Sequence, residues 1–302
     1  MMVYMFHYVN GDRFNYYHFD KNDFERIIIK LLNSGKKIIS FTEFKLMVKC
    51  NDSNIDNCIL LTFDDGTRDH YDIVYPILKK YNISGLFFLC SNILEHKILD
   101  VNLIHQIIAN AQFEDLFSNF EKLLIENNIT NDNYDMLIST EYDDKKMLYF
   151  KQMLQFILPD NIKNEILNKL ANIYNVSLNF EDYYMSVKQI KEMKENGMEF
   201  GFHTSTHKRL EKLSYDEQFK EIISNMELLD KENIIDDDPA FSYPFGSYNG
   251  NTLNILKENK IRYSFGINSR QFTFKDNLLT IPRYDCNVLK EVLENEKQFY
   301  RN

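Results

Sequence analysis

Two kinds of hydrophobic spacing alternate along the first ninety residues. Short unbroken apolar runs, VYMFHYV (3–9), KIIS (37–40), CILLTF (58–63) and SGLFFLC (84–90), predict strands buried on both faces. Between them FERIIIKLLNS (24–34), TEFKLMVK (42–49) and DIVYPILKKYN (72–82) space apolar residues three and four apart, which predicts amphipathic helices. Ser40 or Thr42 can cap the second helix, and Pro76 falls early in the third. The alternation returns near residue 187. There VKQIKEMKENG is a helix closed by Gly197, MEFGFH (198–203) a strand and YDEQFKEIISNMELLDKEN (215–233) a long helix. AFSYPFG (240–246), helix NTLNILKENK (251–260) and strands RYSFGI (262–267) and LLTIPR (278–283) complete the series.

Repeated strand–helix units of this length imply parallel strands joined by right-handed crossovers. The expected class is α/β, as a (β/α) barrel or an open doubly wound sheet. Residues 95–185 break the pattern. Helical spacing dominates in LIHQIIANAQFEDLFSNFEKLLIENN (103–128), KKMLYFKQMLQFIL (145–158) and IKNEILNKLANIYN (162–175), and no strand is predicted there. The expected organisation is a host in two parts, 1–94 and 186–302, interrupted by a helical insertion over 95–185. An insertion far longer than a usual loop suggests a lid or a contact between copies of the chain, and its Phe/Leu/Ile stripes read as packing surface.

Composition narrows the function. The chain has 302 residues, 44% of them hydrophobic, with a net charge of −10 and no basic block. That balance argues against nucleic acid or an anionic membrane as the main partner. No run approaches the ~20 apolar residues that span a bilayer. MMVYMFHYVNGDRF lacks the basic and long apolar parts of a secretory signal, so a cytoplasmic location is expected. Cys50, Cys58, Cys90 and Cys286 have no metal-type spacing.

Three stretches fall at the C-terminal ends of predicted strands, where α/β folds build their sites. They are Thr62-Phe63-Asp64-Asp65-Gly66, Phe202-His203-Thr204-Ser205-Thr206-His207 and Phe241-Ser242-Tyr243-Pro244-Phe245-Gly246. Two imidazoles four residues apart can face one point, and two His with one carboxylate leave open positions on a divalent ion. With seven His in the chain, a single His-x-x-x-His pair is weak evidence. Two adjacent acids at the mouth of a buried strand strengthen it. One can ligate the ion, which neutralises the pair, while the other stays free as a base.

TFDDG, the His-x-x-x-His of HTSTH and FSYPFG together resemble the first three motifs of the polysaccharide deacetylases, the NodB-homology enzymes of carbohydrate esterase family 4. The resemblance covers about residues 1–95 and 186–290. It implies a distorted (β/α) barrel and hydrolysis of an N-acyl amide, or an O-acyl ester, on a sugar. It further implies Asp64 as general base, and Asp65, His203 and His207 as ligands of one divalent metal ion, with zinc first and cobalt, nickel or manganese as other candidates. Phe245, through its backbone N–H, and Tyr243 are implied on the oxyanion and substrate side.

Two departures stand out. The family's usual arginine at the third motif is replaced near Ser242, so Arg283 at the end of a late strand either reaches the site instead or pairs with Asp285 at the surface. The family's late histidine, its general acid, has no counterpart, because no histidine follows His207. His7, ending the first strand, and His105, on the first inserted helix, are the candidate replacements. A cytoplasmic member would act on a small or activated carbohydrate, such as a nucleotide- or lipid-linked sugar in surface-glycan assembly. The other readings are an amidohydrolase of a non-sugar amide and a binding protein that keeps the metal without turnover.

Overall fold

A computed structural model of the chain describes residues 1–9, 19–129, 145–287 and 289. The first element is strand β1 (Met2–Phe6), followed by helix α1 (Lys21–Leu32), β2 (Lys37–Ile38) and α2 (Phe41–Cys50). Ser40 caps α2 reciprocally with Glu43, satisfying two otherwise orphan amides. Next come β3 (Cys58–Phe63), α3 (Tyr75–Lys80), β4 (Leu86–Leu89) and the short α4 (Asn92–Glu95). Beyond the central helices lie α9 (Phe180–Tyr183), α10 (Val187–Glu195), β5 (Glu199–Phe202), α11 (Tyr215–Lys231), β6 (Ala240–Ser242), α12 (Gly250–Glu258), β7 (Tyr263–Phe265) and β8 (Tyr284–Asp285).

The strands form one parallel sheet in the order β7-β6-β5-β4-β3-β1-β8, with β2 also on β3. β3 is central and wholly buried, which its unbroken apolar run requires. Beyond β7 the ladder continues through Ile281, which bridges Phe265, and the chain then enters β8 beside β1. This curl is the distorted (β/α) barrel. Its interior is packed by Leu60, Leu86, Phe88 and Phe265, with the Phe88 and Phe265 rings 5.4 Å apart. The Phe6–Phe63 and Phe63–Phe87 stacks, at 5.3 and 4.7 Å between centroids, lie on the other sheet face against Phe24 of α1.

Two expected elements differ. The run LLTIPR is a 3-10 turn over Leu278–Thr280 and a single bridge at Ile281, because Pro282 has no N–H for a ladder and Asn277 caps the turn. The strand expected over 3–9 ends at Phe6, leaving His7–Val9 outside the ladder.

The chain divides into two compact units, Met1–Lys97 with Phe180–Asn302, and Ile98–Asn179. In the second unit the described elements are α5 (Asp100–Asn110), α6 (Phe113–Glu126), α7 (Lys145–Gln152) and α8 (Asp160–Ile173). The helical spacing over 103–128 is carried by two helices separated at Ala111 and Gln112, both extended, and α6 starts with Glu114 and Asp115 at its positive end. Ile104, Leu116, Phe120, Phe150, Ile166 and Leu170 are fully buried among themselves and their neighbours. Among the described residues no helix is long and apolar enough to cross a membrane.

Candidate active site

The site grows from the backbone at three strand ends. Of the described non-glycine residues with left-handed φ, seven are ordinary helix-end positions held by Asn, His or Lys. The other four are Asp65 (φ 76°), Thr204 (65°), His207 (57°) and Phe245 (58°), all in the turns after β3, β5 and β6. Strained backbone concentrated in this way aims side chains that relaxed strand ends would not. Gly66 completes the first turn at φ +67°, and a Cβ there would lie 2.6 Å from Ile93 Cδ1 and 2.7 Å from Leu89 Cδ2.

Asp64 and Asp65 end in different environments. Both are buried, at 2% and 3% exposure. Asp64 is clamped by Arg283, whose Nη1 and Nη2 donate to Oδ1 and Oδ2 at 2.9 and 2.8 Å. Ser242 Oγ donates to Asp64 Oδ2 at 3.2 Å and accepts from Arg283 Nη2 at 2.8 Å. Arg283 is itself fully buried, with Nε donating to the Gly266 carbonyl and Nη1 also reaching Thr62 Oγ1. Its geometry is therefore the clamp on Asp64 and not a surface pair with Asp285. Burial pushes the Asp64 carboxyl up. The Arg283 charge and hydrogen bonds, with smaller contributions from His203 and His7, outweigh this and hold it well below the usual carboxylate range.

Asp65 faces the histidines. Its Oδ1 lies 3.6 Å from His203 Nε2 and 3.4 Å from His207 Nε2, and the three ligand atoms all fall within 4.8 Å of one another. His203 Nδ1 donates to the Ser242 carbonyl at 2.7 Å, which leaves Nε2 as the bare nitrogen. Burial drives both imidazoles down to about 4, so both are neutral near pH 7. The bare His203 Nε2 and the His207 Nε2 then face Asp65 Oδ1, a carboxylate oxygen that has no hydrogen-bond partner. A buried carboxylate oxygen left unpartnered beside a bare nitrogen is unfavourable without a cation between them. Buried N/N/O donors with room for further ligands suit a divalent ion such as zinc. The residues fit the implied metal.

Helix α11 supports the histidine turn. Glu221 accepts from the Thr206 amide and hydroxyl, its backbone carbonyl accepts from Ser205, and Asn225 Oδ1 accepts from the His203 amide. Sequence reasoning missed Ser242, Glu221 and Asn225 as supports. The signal available was Gln218 and Asn225 buried on the otherwise apolar face of an amphipathic helix.

The remaining candidates separate. His7 follows β1, is half-buried, and couples electrostatically to both Asp64 and His207. The Phe245 ring meets His207 edge-on at 4.7 Å. Tyr243 is part of the core, and its hydroxyl donates to the Leu279 carbonyl at 2.5 Å, so its proton is committed away from a substrate. His105 lies half-buried on α5 of the helical unit.

A family model described as "Polysaccharide deacetylase" matches residues 51–115 and 152–264, more than half of the chain. The chain belongs to the polysaccharide deacetylase family. All three strand-end motifs lie in the matched stretches, whereas His7 and Arg283 lie outside them. The Bacillus subtilis (strain 168) protein "Putative polysaccharide deacetylase YxkH" is 34% identical over 77 residues, 26% of this chain and 28% of that protein. The chain therefore spans under a third of this curated relative's length. Among solved structures, the Streptococcus pyogenes deacetylase PplD in complex with acetate aligns over 94% of this chain and 91% of that one, with a TM-score of 0.60 and 20% identity. A de-N-acetylase from Aggregatibacter actinomycetemcomitans aligns over 94% and 92%, with a TM-score of 0.55 and 13% identity. IcaB from Ammonifex degensii aligns over 94% and 90%, with a TM-score of 0.55 and 16% identity. At these identities the structural neighbours show the polysaccharide deacetylase fold.

Proposed function

We propose that this chain is a metal-dependent hydrolase that removes a short N-acyl group from an amino sugar. The observation that carries the reading is the buried Asp65–His203–His207 cluster beside a second carboxylate, Asp64, held charged by a different partner. The printed descriptions of the S. pyogenes neighbour, solved with acetate, and of the de-N-acetylase support acetyl as the group released.

Asp65, His203 and His207 would hold a divalent ion, zinc first, whose chemistry is to polarise the acyl carbonyl and bring a water's pKa toward ~7. Asp64 takes the proton of the attacking water. Arg283 keeps this carboxylate ionised and fixes its plane, so its oxygens cannot rotate away from the water. A carboxylate held so low is a weak base, which is why it requires an already acidified water. The backbone N–H of Phe245, a residue in a strained turn whose ring meets His207, is assigned to the developing oxyanion. His7 gives the proton that lets the sugar amine leave, the role for which no histidine remains after His207. Activated sugar intermediates of surface-glycan assembly are the substrates this reading places first.

The test is metal analysis together with acid release. The purified chain should carry about one divalent ion and release acetate from N-acetylated amino sugars. Asp64→Asn should keep the ion and lose turnover. Full activity of that variant on every acylated sugar tried would overturn the assignment of the base. Release from cyclic imides or ureides but not from sugars would overturn the substrate class.

A further inference from the structure

The segment carrying His7 is held by side chains and not by a ladder. β1 ends at Phe6, yet the next backbone groups are paired within three residues. His70 Nε2 lies 2.6 Å from the His7 carbonyl, which can only accept, so this nitrogen carries the proton. Asp69 Oδ2 accepts from the Val9 amide at 2.5 Å. Both partners stand just beyond the Asp64–Asp65 turn, and both are buried, at 6% and 0% exposure. The His70 ring is fixed in turn, edge-on to Phe63 at 5.7 Å and tilted against Phe87 at 5.6 Å. These two rings belong to β3 and β4. Between the two clamped groups, the Tyr8 hydroxyl accepts from Tyr183 Oη at 3.3 Å in a buried contact.

We propose that Asp69 and His70 are positioning residues for His7: they splint His7–Val9 onto the loop that bears Asp64 and Asp65, so that the two sides of proton transfer move as one body. The claim rests on the reading of His7 as the proton donor. The geometry explains why two polar side chains are buried here. A backbone carbonyl and amide beyond the last ladder pair would otherwise be buried unpaired, and the site would lose its register with β1. A donor must lie within hydrogen-bond reach of the leaving nitrogen, so a small shift of His7 lowers turnover without touching the metal ligands.

The experiment uses the full, metal-loaded chain. His70→Phe keeps a ring between Phe63 and Phe87 and removes the donor, and Asp69→Leu removes the acceptor. Asp69→Asn retains an oxygen that can accept from Val9 and serves as the conservative rescue. Turnover is compared on an N-acetylated amino sugar and on 4-nitrophenyl acetate, whose leaving group needs no proton. For His70→Phe and Asp69→Leu, kcat on the amide should fall roughly tenfold to a hundredfold. KM and turnover of the ester should stay within about twofold of the parent, as should metal content. Asp69→Asn should resemble the parent. Neither substitution should lower amide turnover further once His7→Ala is present. Equal losses on amide and ester, additivity with His7→Ala, or an Asp69→Asn as impaired as Asp69→Leu would overturn the splint.

A His7→Ala with full amide turnover would instead remove the reading of His7 as donor. The splint is then judged by side-chain NMR of 15N-labelled His7. Shifted or broadened His7 ring resonances in His70→Phe and Asp69→Leu support it, and unchanged resonances overturn it.

Discussion

Asp64 and Asp65 are neighbours in sequence, are equally buried, and are handled in opposite ways. Asp64 has both oxygens bonded, by a bidentate guanidinium and a serine hydroxyl. Asp65 has an oxygen without any partner, faced by the Nε2 atoms of two histidines that are neutral near pH 7. The protein supplies the countercharge for one acid and, on the proposed reading, leaves the other for a cation from outside. That difference would separate an acid tuned by the fold from one completed by a ligand. It also says how each should fail.

The largest effect is expected at the incomplete acid. Asp65→Asn, or removal of the ion with a chelator, should abolish acid release. Asp65→Asn should in addition leave metal analysis near zero, whereas Asp64→Asn loses turnover with the ion retained. Equal metal content in the two variants would erase the distinction.

Next is Arg283→Leu, which strands a buried charge on Asp64. Breaking a buried pair from one side costs about 3–5 kcal/mol, read as a lower urea midpoint at pH 7. The deficit should shrink toward low pH, because without Arg283 the largest opposition to burial is gone and the Asp64 pKa rises. Adding Asp64→Leu to Arg283→Leu should recover much of the loss.

A third expectation concerns pH in the metal-free chain. The folded pKa values of His203 and His207 lie near 4, below the ordinary 6.5 of an unfolded histidine. The unfolded state therefore binds protons that the folded state refuses in that interval. Stability should be intact above about pH 6.5 and fall as pH drops through the window to about 4. Urea titrations across that range should show the slope, and His203→Ala should flatten it. The smallest effect is Ser242→Ala, which removes one hydroxyl from the Asp64 clamp and should cost about 1 kcal/mol, with metal content unchanged.

Legibility in the sequence follows the same division. Asp65, His203 and His207 were readable because each motif sits within a few residues of a strong apolar run. Strand ends in a parallel α/β sheet converge on one side. The clamp was less readable. Arg283 is 219 residues from Asp64 and lies outside the family-matched stretches, and an arginine after a proline near a chain end has many surface partners open to it. Tyr243 shows a different limit. Its place in the Tyr-Pro-Phe-Gly motif suggested a substrate contact, but the hydroxyl turns back to Leu279. A motif marks the position of a backbone turn more securely than the direction of every side chain in it.

The amino-acid sequence by itself determined the α/β class, most of the strands and helices and the interruption of the host by helices, and it picked out the two acids and two histidines that the fold brings together. Periodicity and short-range motifs are local properties, and local properties survive being read along a line. The tertiary structure alone decided which acid receives a protein countercharge. It also decided that Arg283 is buried and that the segment after β1 hangs on Asp69 and His70. Each depends on pairs made across the barrel, where burial makes an ion pair or hydrogen bond obligatory, and no periodicity in the chain records which distant group answers.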